Sequence, residues 1–137
     1  MKRLLFLDDA LIRHTNLEKQ IKTIGIPITV FHFFNAENAA IATTEDVFDI
    51  ISLDGDLGTS TRTGKERTSG DYLTKNYAFW KNTIKNIKCD IIIHSWNPDK
   101  SKLMTEDIEK QNINQSVIRA VFGNKLYWSI LSNIAHS

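Results

Sequence analysis

Lys2-Arg3-Leu4-Leu5-Phe6-Leu7-Asp8-Asp9 is the stretch on which the fold turns. Its apolar run is too short for a helix and shows no polar alternation, so it reads as a strand buried on both faces. The run breaks abruptly into two acids. The same design returns twice: residues 47–53 are largely apolar and end at Asp54-Gly55-Asp56, and residues 90–93 end at His94-Ser95-Trp96-Asn97.

The segments around these runs supply the rest of the architecture. Leu17, Ile21 and Ile24 fall at helical spacing, Thr15 and Glu18 form a capping box, and Gly25 with Pro27 stops the helix. Residues 28–34 are β-branched and aromatic, a second strand, and Asn35 caps a short helix through Ala36, Ala39, Ala40 and Ile41. Residues 58–70 are rich in Thr, Ser and Gly without periodicity, which predicts a long loop. Leu73, Tyr77, Trp80, Ile84 and Ile87 then make an apolar helical stripe with lysines opposite. Asn97-Pro98 places a cap before a proline at the first helical position, opening a helix to about Asn112. Residues 117–122 are a fifth strand, Gly123 turns the chain, and Tyr127, Ile130, Leu131 and Ile134 mark a closing helix. Five strands alternating with five helices predict an α/β fold, a three-layer α/β/α sandwich around a five-stranded parallel sheet. Ligands of such sheets bind beyond the carboxyl ends of the strands.

The 137 residues fit one domain, 1–137, and 42% hydrophobic with 24% charged residues is an ordinary globular balance. The single Cys89 rules out an intramolecular disulfide and a cysteine zinc cage, and points to a reducing compartment, the cytoplasm. Its place before a buried strand, with no base nearby, makes it a packing residue. No apolar run approaches the roughly 18 residues of a membrane span, and the opening run is too short for an export signal. The net charge of +1 hides an asymmetry. Arg62, Lys65, Arg67, Lys75, Lys81, Lys85 and Lys88 stand against only Glu66 and Asp71. This basic strip is either a solvated helix face or a surface for a polyanion.

If the three acidic or imidazole-bearing strand ends are neighbours, several carboxylates converge on one rim. Two unit charges about 4 Å apart repel by roughly 4 kcal/mol at an effective dielectric near 20, so a cation belongs among them. Mg2+ (or Mn2+) takes oxygen ligands and leaves positions for phosphate oxygens, which predicts a metal-phosphate site. Singly, each member has a plainer role: Asp9 as a helix cap, Asp56 in a turn, His94 as a buried histidine holding a loop, Asn97 as a cap. Together, Asp8, Asp9 and Asp54 are the candidate metal ligands. Asp56 is a candidate for orienting water, and His94 for general acid or base work alongside Asp54. Ser95, Asn97 and Arg13 are candidate phosphate contacts, and Arg62, Lys65 and Arg67 are candidates for closing over the ligand from the loop. Arg13 is otherwise an exposed helix residue. His14 and His32 look isolated, Trp80 reads as core, and Trp96 either stacks on a base or wedges its loop.

These residues carry a resemblance. Leu7-Asp8-Asp9, Leu53 to Gly58 and Ile93-His94-Ser95 sit where a response-regulator receiver domain has its acidic pair, its phosphoacceptor aspartate and its hydroxyl residue. A receiver also carries a lysine at the end of the fifth strand. Here that strand has none, and Arg119 is the basic residue nearest the place. The chain resembles more closely the enzymatic, receiver-like group called the cyclic-phosphate processing receiver domain. Its pattern is matched by Leu7 to Asp9, Leu53-Asp54-Gly55-Asp56-Leu57-Gly58, Gly70-Asp71 and Ile93-His94-Ser95-Trp96-Asn97-Pro98. The match spans nearly the whole chain and departs at Gly55, where that group commonly has histidine. The Asp-x-Asp of haloacid-dehalogenase phosphatases is a weaker parallel, because there the partner acids lie downstream.

The resemblance implies the receiver or flavodoxin-like strand order 2-1-3-4-5. It also implies a metal-dependent phosphoesterase-like activity on cyclic or terminal phosphates, with a phosphate-bearing nucleotide or RNA end as partner. Two other functions fit the same residues: a non-enzymatic receiver phosphorylated on Asp54, and a nucleic-acid or protein-binding module that uses the basic strip.

Overall fold

The structure, a computed structural model, describes residues 1–57, 89–110 and 116–137. Strands β1 (Lys2–Leu7), β2 (Ile28–Phe33), β3 (Ile50–Leu53), β4 (Asp90–Ile93) and β5 (Ser116–Arg119) form one parallel sheet in the order β2-β1-β3-β4-β5. The expected fold class and strand order are therefore present. The central strands are buried on both sides: Leu4 to Leu7, Ile50, Ile51, Leu53 and Ile91 to Ile93 are at most 1% exposed. Burial on both faces is why their sequence is continuously apolar. The edge strands β2 and β5 are half exposed.

Helices α1 (Leu11–Ile24) and α4 (Lys125–Ala135) cover one face, where Leu17, Ile21, Tyr127 and Leu131 pack on Leu4, Phe6, Ile50 and Ile92. Helices α2 (Ala36–Glu45) and α3 (Pro98–Lys110) cover the other, where small Ala39 and Ala40 with Met104 and Ile108 pack on Leu5, Leu7, Ile51 and Ile93. These layers make the three-tier sandwich. The predicted loop 58–70, the helix through Leu73 and Ile87, and Gly70-Asp71 lie outside the described residues. Among the described residues no helix is long and apolar enough to cross a membrane.

Local signals account for most boundaries. Gly25 ends α1 in the left-handed conformation, φ 79°, with its N–H on the Ile21 carbonyl. Asn35 caps α2 by accepting the Asn38 N–H, and Asn97 caps α3 by accepting those of Asp99 and Lys100. The start of α1 corrects the expected Thr15–Glu18 capping box. The helix begins four residues earlier, at Leu11, and the Thr15 hydroxyl bonds back to the Leu11 carbonyl within it. Asp8 serves the helix entry instead, its Oδ1 accepting the Ala10 N–H at 2.9 Å. The third strand starts at Ile50, after an exposed Val47, and the fifth stops at Arg119.

Candidate functional site

The register builds the site. Leu7 pairs with Leu53, Leu53 with Ile93, and Ile93 with Arg119. The next residue on each strand, Asp8, Asp54, His94 and Ala120, therefore stands level with the others, and backbone bonds from the Asp54 and His94 N–H groups extend the ladder to this row. Alternation puts the row on the α1/α4 face, with Phe6, Ser52 and Ile92 one step below. Asp8 and His94 are fully buried and Asp54 is 2% exposed. One potential ligand atom from each of Asp8, Asp54 and His94 lies within 4.8 Å of the others.

Arg13, one turn into α1, enters this cluster. Its Nη1 donates to Asp8 Oδ2 at 3.0 Å and lies 3.5 Å from Asp54 Oδ2. Burial raises Asp8, but hydrogen bonds from His94, Ala10 and Arg13 outweigh it and hold its carboxyl below the usual value. Asp54 shifts the other way: burial first, and then the charge of Asp8, push its carboxyl up to about 7. Asp9 is exposed, and burial followed by the charge of Asp8 raises it as well, with Arg13 opposing. The raised carboxyls of Asp54 and Asp9 mark a pocket in which added positive charge is favourable. Its oxygen-rich donors suit a hard divalent cation, and the ligand atoms close enough to share one belong to Asp8, Asp54 and His94.

His94 lies deeper than an open-rim acid or base would. Its ring stacks on Phe6, centroids 4.7 Å apart, and meets Phe122 and Tyr127 edge-on or tilted. Nε2 faces Asp8 Oδ2 at 3.0 Å, and Nδ1 faces the Ser52 hydroxyl at 2.7 Å. Burial lowers its pKa against the pull of Asp8. It has the contacts of a buried histidine that fixes its surroundings.

The other predicted residues that the structure describes make local contacts. Ser95 follows His94, receives the Asn97 N–H on its hydroxyl and abuts Gly55. A Cβ on Gly55 would lie 2.7 Å from Ser95 Oγ, so the residue here must be small unless Ser95 moves. Asn97 occupies the first amides of α3 with its own side chain, which removes two of the donors an anion would use there. The Asp56 N–H closes a turn onto Asp54 Oδ1 at 3.2 Å, and its carboxylate is ion-paired with Lys100. Arg119 faces away from the cluster. It lines a groove of about 420 Å³ on the α3 side with Ile93, Ser95 and the exposed Trp96. The position on β5 level with Asp54 belongs to Ala120, which packs with Phe122 in the α1/α4 core. Arg62, Lys65 and Arg67 lie outside the described residues.

The two histidines taken as isolated are joined. His14 Nε2 meets the Asp8 carbonyl at 2.7 Å, its Nδ1 meets His32 Nδ1 at 2.7 Å, and His32 Nε2 meets Glu18 at 2.7 Å. This chain fastens α1 to β1 and β2 at the foot of the acidic cluster. The spacing of Arg13, His14 and Glu18 on one helix was the available signal; the partner on β2 was not readable from it.

No family model matches the sequence, and no curated protein matches it. Solved structures do. One is the receiver domain of a sensor histidine kinase from Pseudomonas aeruginosa with magnesium coordinated in its active-site cleft, 15% identical, TM-score 0.62, covering 99% of this chain and 98% of that one. A CheY-like response-regulator receiver domain from Methylobacillus flagellatus matches at 11% identity, TM-score 0.63, over 98% of each chain. A response regulator from Burkholderia pseudomallei, holding a phosphorylated aspartic acid, calcium and citrate, matches at 12% identity, TM-score 0.61, over 99% of this chain and 70% of that one. At these identities the likeness is one of fold. The chain has the CheY-like receiver fold.

Proposed function

We propose that Asp8, Asp9 and Asp54 hold a divalent cation, Mg2+ or Mn2+, and that the protein works on a phosphate group bound to it. The observation that carries this is the Asp8–Asp54 pair, two carboxylates buried level on adjacent strands, with the Asp54 carboxyl pushed up to about 7 by burial and the charge of Asp8. A cation there would make the Asp54 carboxylate available at neutral pH and draw in phosphate oxygens. In the first reading Asp54 is a phosphoacceptor. Its carboxylate oxygen attacks the phosphorus of a small phosphodonor, and the leaving group departs from the opposite side. The fold supports this reading, as does the phosphorylated aspartate of the Burkholderia neighbour.

A specific observation favours a second reading, a phosphoesterase acting on cyclic or terminal phosphates of a nucleotide or RNA end. The residues level with Asp54 on β4 and β5 are His94 and Ala120, so the lysine that a receiver carries on its fifth strand is missing. The run from Ile93 to Pro98 resembles the cyclic-phosphate processing group instead. Water would then attack the phosphorus, with Asp54 or Asp56 positioned to orient it, as the P–O bond to the sugar oxygen breaks and that oxygen leaves with a proton derived from the water.

One experiment separates them. The chain is incubated with Mg2+ and acetyl phosphate, and in parallel with a panel of cyclic nucleotides and phosphate-ended RNAs. A phosphoryl adduct seen by intact mass and absent from Asp54→Asn supports the acceptor. Ring opening or phosphate release, lost in Asp54→Asn, supports the esterase. Neither product, together with no Mg2+ binding, rejects the site.

A further inference from the structure

Beneath the acidic cluster lies a single file of buried polar side chains. Tyr127, Ser52, His94 and Asp8 all have no solvent exposure. Tyr127 Oη lies 2.9 Å from Ser52 Oγ, Ser52 Oγ lies 2.7 Å from His94 Nδ1, and His94 Nε2 lies 3.0 Å from Asp8 Oδ2. Each residue stands on or directly beyond a regular element: α4, β3, β4 and β1 in turn.

The donors and acceptors give the file a direction. A carboxylate only accepts, so His94 Nε2 carries the hydrogen. The ring packs against Phe6 and Phe122, which also touch each other, and a neutral imidazole with its hydrogen on Nε2 accepts at Nδ1. Ser52 then donates to His94, and Tyr127 donates to Ser52, which leaves every hydroxyl hydrogen bonded. The reverse orientation needs an imidazolium donating at both nitrogens. It would strand one of the two hydroxyl hydrogens, that of Ser52 or that of Tyr127, with no acceptor among the described residues, in a fully buried place.

We propose that Ser52 and Tyr127 are positioning residues for the cation-binding carboxylate. They hold His94 in the Nε2–H tautomer, and His94 in turn fixes the rotation of Asp8 about its last bond. Asp8 Oδ2 receives both His94 and Arg13, while Oδ1 receives the Ala10 N–H. Three donors from three directions set which lone pairs remain for a cation. Outer partners of this kind typically change metal affinity by 10- to 100-fold when removed. The inference rests on the cation reading above.

The test joins a tautomer measurement to a binding measurement. Nitrogen-15 spectra of the wild-type imidazoles should show His94 as Nε2–H, and Mn2+ titration followed by electron paramagnetic resonance should show binding. Ser52→Ala, which leaves Nδ1 without its donor, should mix the tautomers and weaken Mn2+ by about tenfold. Tyr127→Phe keeps the ring packing and should weaken it by a few-fold, and Ser52→Thr should restore both readouts. Ile92→Val disturbs the same core without touching the file and should leave Mn2+ affinity unchanged. A wild-type His94 protonated on Nδ1 overturns the proposal. So does a wild-type chain that binds Mn2+ while Ser52→Ala and Tyr127→Phe bind it equally well. A wild-type chain that binds no Mn2+ overturns this inference and the cation reading together.

Discussion

Replacing Asp54 by Asn should stabilise the metal-free protein at neutral pH, and the gain should vanish in acid. In the unfolded chain the Asp54 carboxyl titrates near 3.8; in the folded one it is pushed up to about 7. Between those values the folded state binds the extra proton, so stability falls as pH rises through this window and the full penalty is in place above about 7. At about 1.4 kcal/mol per pH unit, the span amounts to about 4 kcal/mol against folding at pH 8. Asn keeps an oxygen for the Asp56 N–H but gives up the attraction to Arg13, so the net gain should be about 1–3 kcal/mol. For a chain of this size that is roughly 3–10 °C in melting temperature. Urea unfolding followed by the fluorescence of Trp128, which packs on the core, measures it at pH 4.5 and pH 8. Mg2+ at ten times its dissociation constant should add about 1.4 kcal/mol to the wild type and little to the variant. An Asp54→Asn protein that is less stable than wild type at pH 8 without metal, or equally stabilised at both pH values, would refute the reasoning.

Arg13→Gln removes the positive charge facing Asp8 and Asp54 and should cost about 1–2 kcal/mol at pH 8 without metal, while enlarging the rise in melting temperature caused by Mg2+. Paired melting curves with and without Mg2+ check both signs. Gly55→Ala drives a methyl group to 2.7 Å from Ser95 Oγ and should destabilise by about 1–3 kcal/mol. Adding Ser95→Gly should recover part of the loss in urea unfolding, and no recovery would place the strain elsewhere. Asn97→Ala deletes the cap of α3 and should lower stability by about 1 kcal/mol without changing Mn2+ affinity. A large drop in Mn2+ binding would show that its role is not capping.

The strands were legible because the central ones, buried on both faces, leave unbroken apolar runs; the fourth was read over 90–93 and is Asp90–Ile93. Helix stops and caps with an obligatory residue type, such as Gly25, Asn35 and Asn97, were legible for the same physical reason. The first turn of α1 was not. Leu11 and Ile12 are 68% and 65% exposed, so no buried stripe announces it, and its entry is served by a side chain that belongs to the preceding strand end. At the site, Asp8, Asp54 and His94 could be found because they end three similar runs, and the parallel register makes equivalent ends level. Their partners could not. Arg13 reaches Asp54 across 41 positions and Ser52 reaches Tyr127 across 75, and a lone serine in an apolar strand or a tyrosine in an apolar helical stripe carries no mark of its partner. Arg119 shows the reverse: it is near the right place in sequence, but one residue of alternation turns it to the other face of the sheet.

That alternation has a consequence for how the site keeps its charge balance. In a receiver the positive side chain beside the acceptor aspartate belongs to the end of the fifth strand, and here that level is occupied by Ala120, packed beside Phe122. The guanidinium near Asp54 comes from α1 instead. Helix α1 is also the element most closely tied to Asp8: Ala10 bonds its Oδ1, Arg13 its Oδ2 and His14 its carbonyl, at 2.9, 3.0 and 2.7 Å. Any cation or phosphate that re-aims Asp8 therefore pulls on three bonds within one helical turn, whereas β5 has only a methyl group on that row. The coupling between ligand and fold should run through the start of α1, and a surface change propagated from a lysine on β5 has no side chain here to carry it.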